Sequence, residues 1–166
     1  ENPNPVLGSF STISALDDGT KASQKASLIN GFANEFAGSF VLFFGALALT
    51  KNFFGAELVG KLIEAGYDKA VATQQVAPYI TGSLAVAHIA VGFLVMTLVA
   101  SLGGPTGPAL NPARDLGPRL VHHFLPKSVL GQAKGDSKWW YSWVPVIAPI
   151  VAAIVAIALF KFLYIK

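Results

Sequence analysis

Asn111, Arg114 and Asp115 stand together in GPALNPARDLGPR, residues 107–119, a polar island between long apolar runs. A carboxamide and a planar guanidinium can both donate to oxygen, and the guanidinium is a permanent cation. The neighbourhood offers a second chemistry, because Asp115, His122 and His123 supply acid and base groups for work on a lipid or peptide bond. That chemistry needs nucleophile and base within hydrogen-bond reach. Asp115 and His122 are seven positions apart, about two helical turns or roughly 10.5 Å, which is too far, so the donor reading leads and no enzyme is expected. His122 and His123, toward the end of a short helix, read as a solvated helix end, and His88 as a packing or hydrogen-bonding residue.

The surroundings of these residues read as membrane. The chain has 166 residues, 53% apolar and 13% charged, with a mean hydropathy of +0.55; ordinary soluble domains carry about 25% charged residues. Residues 28–50, 79–102 and 139–165 form apolar runs of 23 residues or more, and a helix of about 20 crosses a bilayer core. Inside these runs the ionisable side chains are Glu35, His88 and Lys161, the last near enough to an end to snorkel. The net charge of +3 is spread over the loops without a basic stripe, which argues against nucleic acid. With no cysteine there is no disulfide framework or thiolate metal site, and neither a cofactor nor a metal is expected. The single methionine is Met96, inside a run, so an N-terminal portion is expected to be missing from this sequence.

Residues 1–27 are polar and read as a loop or surface segment, and residues 28–166 as the membrane unit. The first run carries Gly31, Gly38 and Gly45 seven apart and Ala33 and Ala37 four apart; the last carries Ala148, Ala152 and Ala156. Small residues at such spacings let helices approach closely in lipid. Residues 51–78 read as a polar connection with a short surface helix. The second run is expected to start after Pro78 and to stop at Gly103-Gly104-Pro105. The aromatic cluster WWYSW suits a membrane interface. Residues 103–124 are too broken to cross and too apolar for an exposed loop. Pro112 fits a first helical position with Asn111 as its cap, which predicts a re-entrant half-helix to Phe124. Irregular backbone at membrane depth must line water or be buried in protein. Lysines divide five against five if the runs alternate, so charge sets no orientation.

NPARD in a re-entrant loop, followed by GPR and by a last run reading VPVIAPIVAAIVA, resembles the major intrinsic protein family, and within it the aquaglyceroporin branch of bacterial glycerol uptake facilitators. The likeness covers the whole chain but one half of such a protein, the second three-span repeat of an all-α, aquaporin-like fold. It implies a multi-pass protein of the bacterial plasma membrane, surrounded by lipid and assembled as a homotetramer. It implies a passive channel for glycerol, small polyols and water that excludes ions and protons, completed by the N-terminal half of the same protein. A closed-pore structural or junction-forming member is the alternative. Asn111 and Arg114 would face the pore, and Gly107, Pro108 and Ala109 would offer backbone carbonyls. Glu35 would hold that loop by its amides, and Asp115 would fix the helix start, pairing with Arg119 one turn on. Asp115 and Pro145 favour the glycerol branch. Pro108 stands where facilitators often carry an aromatic, and Val99 where they often carry Gly or His, which leaves the filter's shape and the preferred solute open.

Overall fold

The computed structural model describes residues 5–51 and 53–164. Residues 1–4 of the leading segment, Asn52 of the connection and residues 165–166 of the tail lie outside the described residues. Every regular element among those described is helical: α1 (Leu7–Phe10), α2 (Gln24–Thr50), α3 (Phe53–Glu64), α4 (Lys69–Thr106), α5 (Pro112–Phe124), α6 (Lys127–Leu130) and α7 (Val144–Tyr164). Three of them, α2, α4 and α7, are long and apolar enough to cross a membrane. The 13 residues of α5 extend only about 20 Å, short of a core about 30 Å thick.

Several boundaries differ from those read in the sequence, among them the start of α2 at Gln24. α4 starts at Lys69 and passes straight through Pro78, and it also runs through Gly103-Gly104-Pro105 to Thr106. A proline removes one helical bond and does not forbid a helix whose remaining bonds are intact. At the far end, carbonyls next to the stop take bonds from other segments: Leu102 O accepts from Asn34 Nδ2 at 3.2 Å, and Pro105 O from the Ala15 amide at 2.8 Å and Asn30 Nδ2 at 3.2 Å. The stop comes at Gly107, where φ is +60°, a conformation glycine takes without steric cost. α7 begins at Val144, because residues 139–143 form turns that carry the Tyr141 ring into the core.

The chain divides into two compact units, one of residues up to Phe44 and from Met96 onward, the other from Gly45 to Val95. In the second, the end of α3 is closed by Gly66 at φ +93° with a bond from the Tyr67 amide to Leu62 O at 3.0 Å. This is a left-handed helix stop. Asp68 then caps α4 by accepting the Ala70 amide at 2.7 Å. Leu94 occupies the space left by the missing side chain of Gly45.

In the first unit, Ala148, Ala152 and Ala156 are fully buried, so their ladder packs within the chain. Ala33 and Ala37 are exposed and take no part in that packing. Gly31 lies under the Tyr141 ring. A Cβ on Gly38 would meet methyls of Leu110 at 2.6 Å and Leu102 at 2.7 Å. Gly38→Ala therefore overpacks the contact of α2 with Leu102 and Leu110 and should cost about 1–3 kcal/mol. Gly8→Ala, which meets nothing within 4 Å, should melt like the parent in detergent; equal melting of the two variants would refute the close packing at Gly38.

Part of the leading segment is buried, while residues 18–22 are exposed. Leu7, Ser11, Thr12, Ser14 and Asp17 are buried, and Asp17 pairs with Lys138 at 3.2 Å. Just beyond, the hydroxyl of Thr20 and then its amide pull the Asp18 carboxyl down to about 2, so this turn keeps its charged acceptor far into acid.

Candidate functional site

The site is built where α4 gives way to α5. Glu35, fully buried on α2, points both carboxylate oxygens at the intervening loop: Oε1 accepts the Ala109 amide at 2.8 Å and Oε2 the Leu110 amide at 2.9 Å. Thr106 Oγ1 donates to Oε1 at 3.5 Å, and takes a bond from Asn34 Nδ2 at 2.5 Å. Leu110 has φ +55°, a conformation that costs a branched residue on the order of 1–3 kcal/mol. The bond to Glu35 and burial of its side chain against Gly38 hold it there. The resulting sharp turn delivers Asn111 in extended conformation, with φ −153° and ψ 121°. Its Oδ1 accepts the Ala113 amide at 3.0 Å, and Pro112 fills the next position, where a missing amide costs nothing.

α5 then presents two different faces. Asp115, Arg119 and His122, spaced four and three apart, are fully buried. Arg119 donates from Nε to Asp115 Oδ2 and from Nη2 to Oδ1, both at 2.8 Å, while Nη2 also reaches Thr12 O at 2.6 Å and Nη1 reaches Ser137 O at 2.7 Å. Planar fork geometry of this kind suits arginine and not lysine. Arg114 lies off that buried stripe and is exposed. Two arginines five positions apart thus have opposite fates: one spends its side-chain donors on the protein, and the side chain of the other has no hydrogen bond or ion pair among the described residues.

The major intrinsic protein profile matches residues 7–160. The chain belongs to the major intrinsic protein family. It is 55% identical over 173 residues to the glycerol facilitator-aquaporin gla of Lactococcus lactis subsp. lactis, an alignment covering 99% of this chain and 60% of that protein. It is 40% identical to the glycerol uptake facilitator protein-like 5 of Lactiplantibacillus plantarum, covering 96% of this chain and 48% of the relative. It is also 33% identical to a glycerol uptake facilitator protein of Streptococcus pneumoniae, covering 97% and 51%. No solved structure gave a significant match. This member of the major intrinsic protein family is a multi-pass membrane protein, and the chain spans about half to three fifths of the length of these relatives.

In this major intrinsic protein chain, Asn111, Arg114 and Val99 are exposed, Gly107 is half-buried, and Pro108 and Ala109 are buried. Glu35 and Asp115 are fully buried and bonded to the elements that frame the turn. His122 corrects the reading of a solvated helix end: it is fully buried, with Nδ1 on Ser137 Oγ at 2.8 Å and its ring edge on Phe10 at a centroid distance of 5.5 Å. His123 remains exposed and takes the Trp139 indole N–H at 3.2 Å. Sequence reasoning missed Asn30, Asn34 and Thr12. The first two carried a signal, since a polar side chain inside an apolar helix needs a partner, and Asn30 and Asn34 share a helix face at a four-residue spacing. Thr12 carried none, because its partners are 103 positions away.

Proposed function

We propose that the protein carrying this chain is a passive channel in a bacterial plasma membrane for glycerol and related small uncharged solutes, with water as a second permeant and ions and protons excluded. The observation that carries the reading is the exposure of Arg114 and Asn111 at the start of a half-helix too short to cross, beside a loop whose amides are already bound to Glu35. Amides held by Glu35 fix the loop backbone, which leaves the carbonyls of residues 107–109 as acceptors for a solute's hydroxyls, with Arg114 and the Asn111 amide as donors. The half-helix N-terminus adds partial positive charge, and the unpaired guanidinium adds a full one, which together oppose cation and proton passage. Val99, exposed on α4, and Pro108 would shape the filter's apolar side. Asp115 and His122 are both fully buried, which denies a substrate access to either and weighs against catalysis. The relatives' printed names, glycerol facilitator-aquaporin and glycerol uptake facilitator, support the same solute.

The remaining parts of the proposal rest on the family likeness and on exposed apolar side chains. In the first unit Met96, Ile154 and Phe162 are each more than half exposed, and such surface needs protein or lipid against it. An N-terminal half of the same protein would close the pore, and four copies would form a homotetramer with one pore each. Vesicles holding the full protein should swell faster than empty vesicles in a glycerol gradient, and equal rates would refute a glycerol channel and favour a closed-pore member of the fold. Arg114→Ala should pass glycerol but lose discrimination against larger solutes on the order of tenfold, since a hydrogen bond from a charged group is worth about 1.5–3 kcal/mol. Unchanged discrimination would remove Arg114 from the filter.

A further inference from the structure

Arg114 has no side-chain partner among the described residues, so its place is fixed by the backbone on either side of it. Upstream, Glu35 clamps Ala109 and Leu110. Downstream, the residue immediately after Arg114 is clamped by the leading segment. Asp115 Oδ1 accepts the Thr12 amide at 2.8 Å and the Thr12 hydroxyl at 3.0 Å, and the Asp115 carbonyl accepts the Ser11 hydroxyl at 3.1 Å. The Thr12 carbonyl in turn accepts from Arg119 at 2.6 Å. All three polar atoms of Thr12, a residue 1% exposed, are therefore committed to α5. A residue that served only to cover the half-helix would need none of them, and an apolar side chain would cover it with less loss of solvation.

We infer that Thr12 is a positioning residue for Arg114, and that the segment ahead of the first span tunes solute selectivity through Asp115. The inference rests on the channel reading above. A recognition group must be held within about 0.5 Å by the residues behind it. Here the loop leading into α5 is pinned by the Glu35 carboxylate from α2, and the first turn of α5 by a threonine from a distant loop. Loosening the second pin lets the turn bearing Arg114 shift while the ion pair with Arg119 and the clamp at Glu35 keep the fold.

Thr12→Val keeps the β-branched shape and the amide but removes the hydroxyl; Thr12→Ser keeps the hydroxyl. In vesicles carrying equal amounts of the full protein, Thr12→Val should change the ratio of glycerol to five-carbon polyol permeability at least threefold, with Thr12→Ser matching the parent. Ser11→Ala, which removes the neighbouring bond, should shift the ratio in the same direction by less. A ratio unchanged in Thr12→Val and Ser11→Ala, or all permeabilities scaled by one common factor, would overturn the inference. Amide hydrogen exchange over residues 111–116 supplies a readout independent of flux: it should quicken in Thr12→Val and not in Thr12→Ser, and equal exchange in both would also overturn it. Parent vesicles no more permeable than empty ones would instead refute the channel reading, and the selectivity role with it, before any variant is compared.

Discussion

Replacing Glu35 with leucine is expected to unfold the turn ahead of α5 and, in the channel proposed above, to abolish flux. The carboxylate is fully buried and satisfies two amides at 2.8 and 2.9 Å. Leucine fills similar space but leaves both N–H groups buried without an acceptor, at about 1–3 kcal/mol each. Leu110 then loses the bond that holds it in its left-handed conformation, and relaxation of that residue moves Asn111, which follows it directly. The expected loss is about 2–6 kcal/mol, seen as a lower melting temperature in detergent and as vesicles no more permeable than empty ones. Glu35→Gln keeps one acceptor oxygen and turns an NH2 toward the other amide, so it should lose roughly half as much stability. A leucine variant that melts and conducts like the parent would show that the loop holds its shape without this clamp.

Arg119→Leu is expected to be as damaging by a different route. Removing one member of a buried ion pair leaves the other charge uncompensated, at about 3–5 kcal/mol. Here the stranded group would be Asp115, with the carbonyls of Thr12 and Ser137 deprived of donors as well. Replacing both Asp115 and Arg119 with leucine removes the stranded charge and should recover part of the loss, but not all, because the Thr12 amide and the Ser137 carbonyl still want partners. The four proteins of this cycle, melted in detergent, should give a coupling energy above about 1 kcal/mol. Additive losses would mean that the two side chains are held independently by their surroundings.

Which features could be read from residue types follows from how local their causes are. The half-helix was legible because Asn111, Pro112 and the four-residue spacing of Asp115 and Arg119 are all rules acting within a turn or two. Glu35 was legible as costly where it stands, and the family resemblance supplied its partners. The stop at Gly103-Gly104-Pro105 was misread because the bonds that carry α4 past it come from Ala15, Asn30 and Asn34, far away in sequence. The buried part of the leading segment was illegible for the same reason: its serines and threonines look like those of any solvated loop, and only the fold shows that Ser11 and Thr12 spend their polar atoms on α5. His122 looked exposed because it stands beside His123 at a helix end, although it shares the buried face of Asp115 and Arg119 by its spacing of seven and three.

Because Asp115 and Arg119 sit one turn apart on a single helix, their charges cancel before any other segment has arrived. A nascent chain handing α5 to the bilayer would meet a penalty of about 2.5–3.5 kcal/mol for an isolated arginine at membrane depth, and the local pairing removes most of that for Arg119. Arg114 has no such partner on its own helix, so in the channel proposed above its guanidinium is the one charge of this turn left for water to solvate.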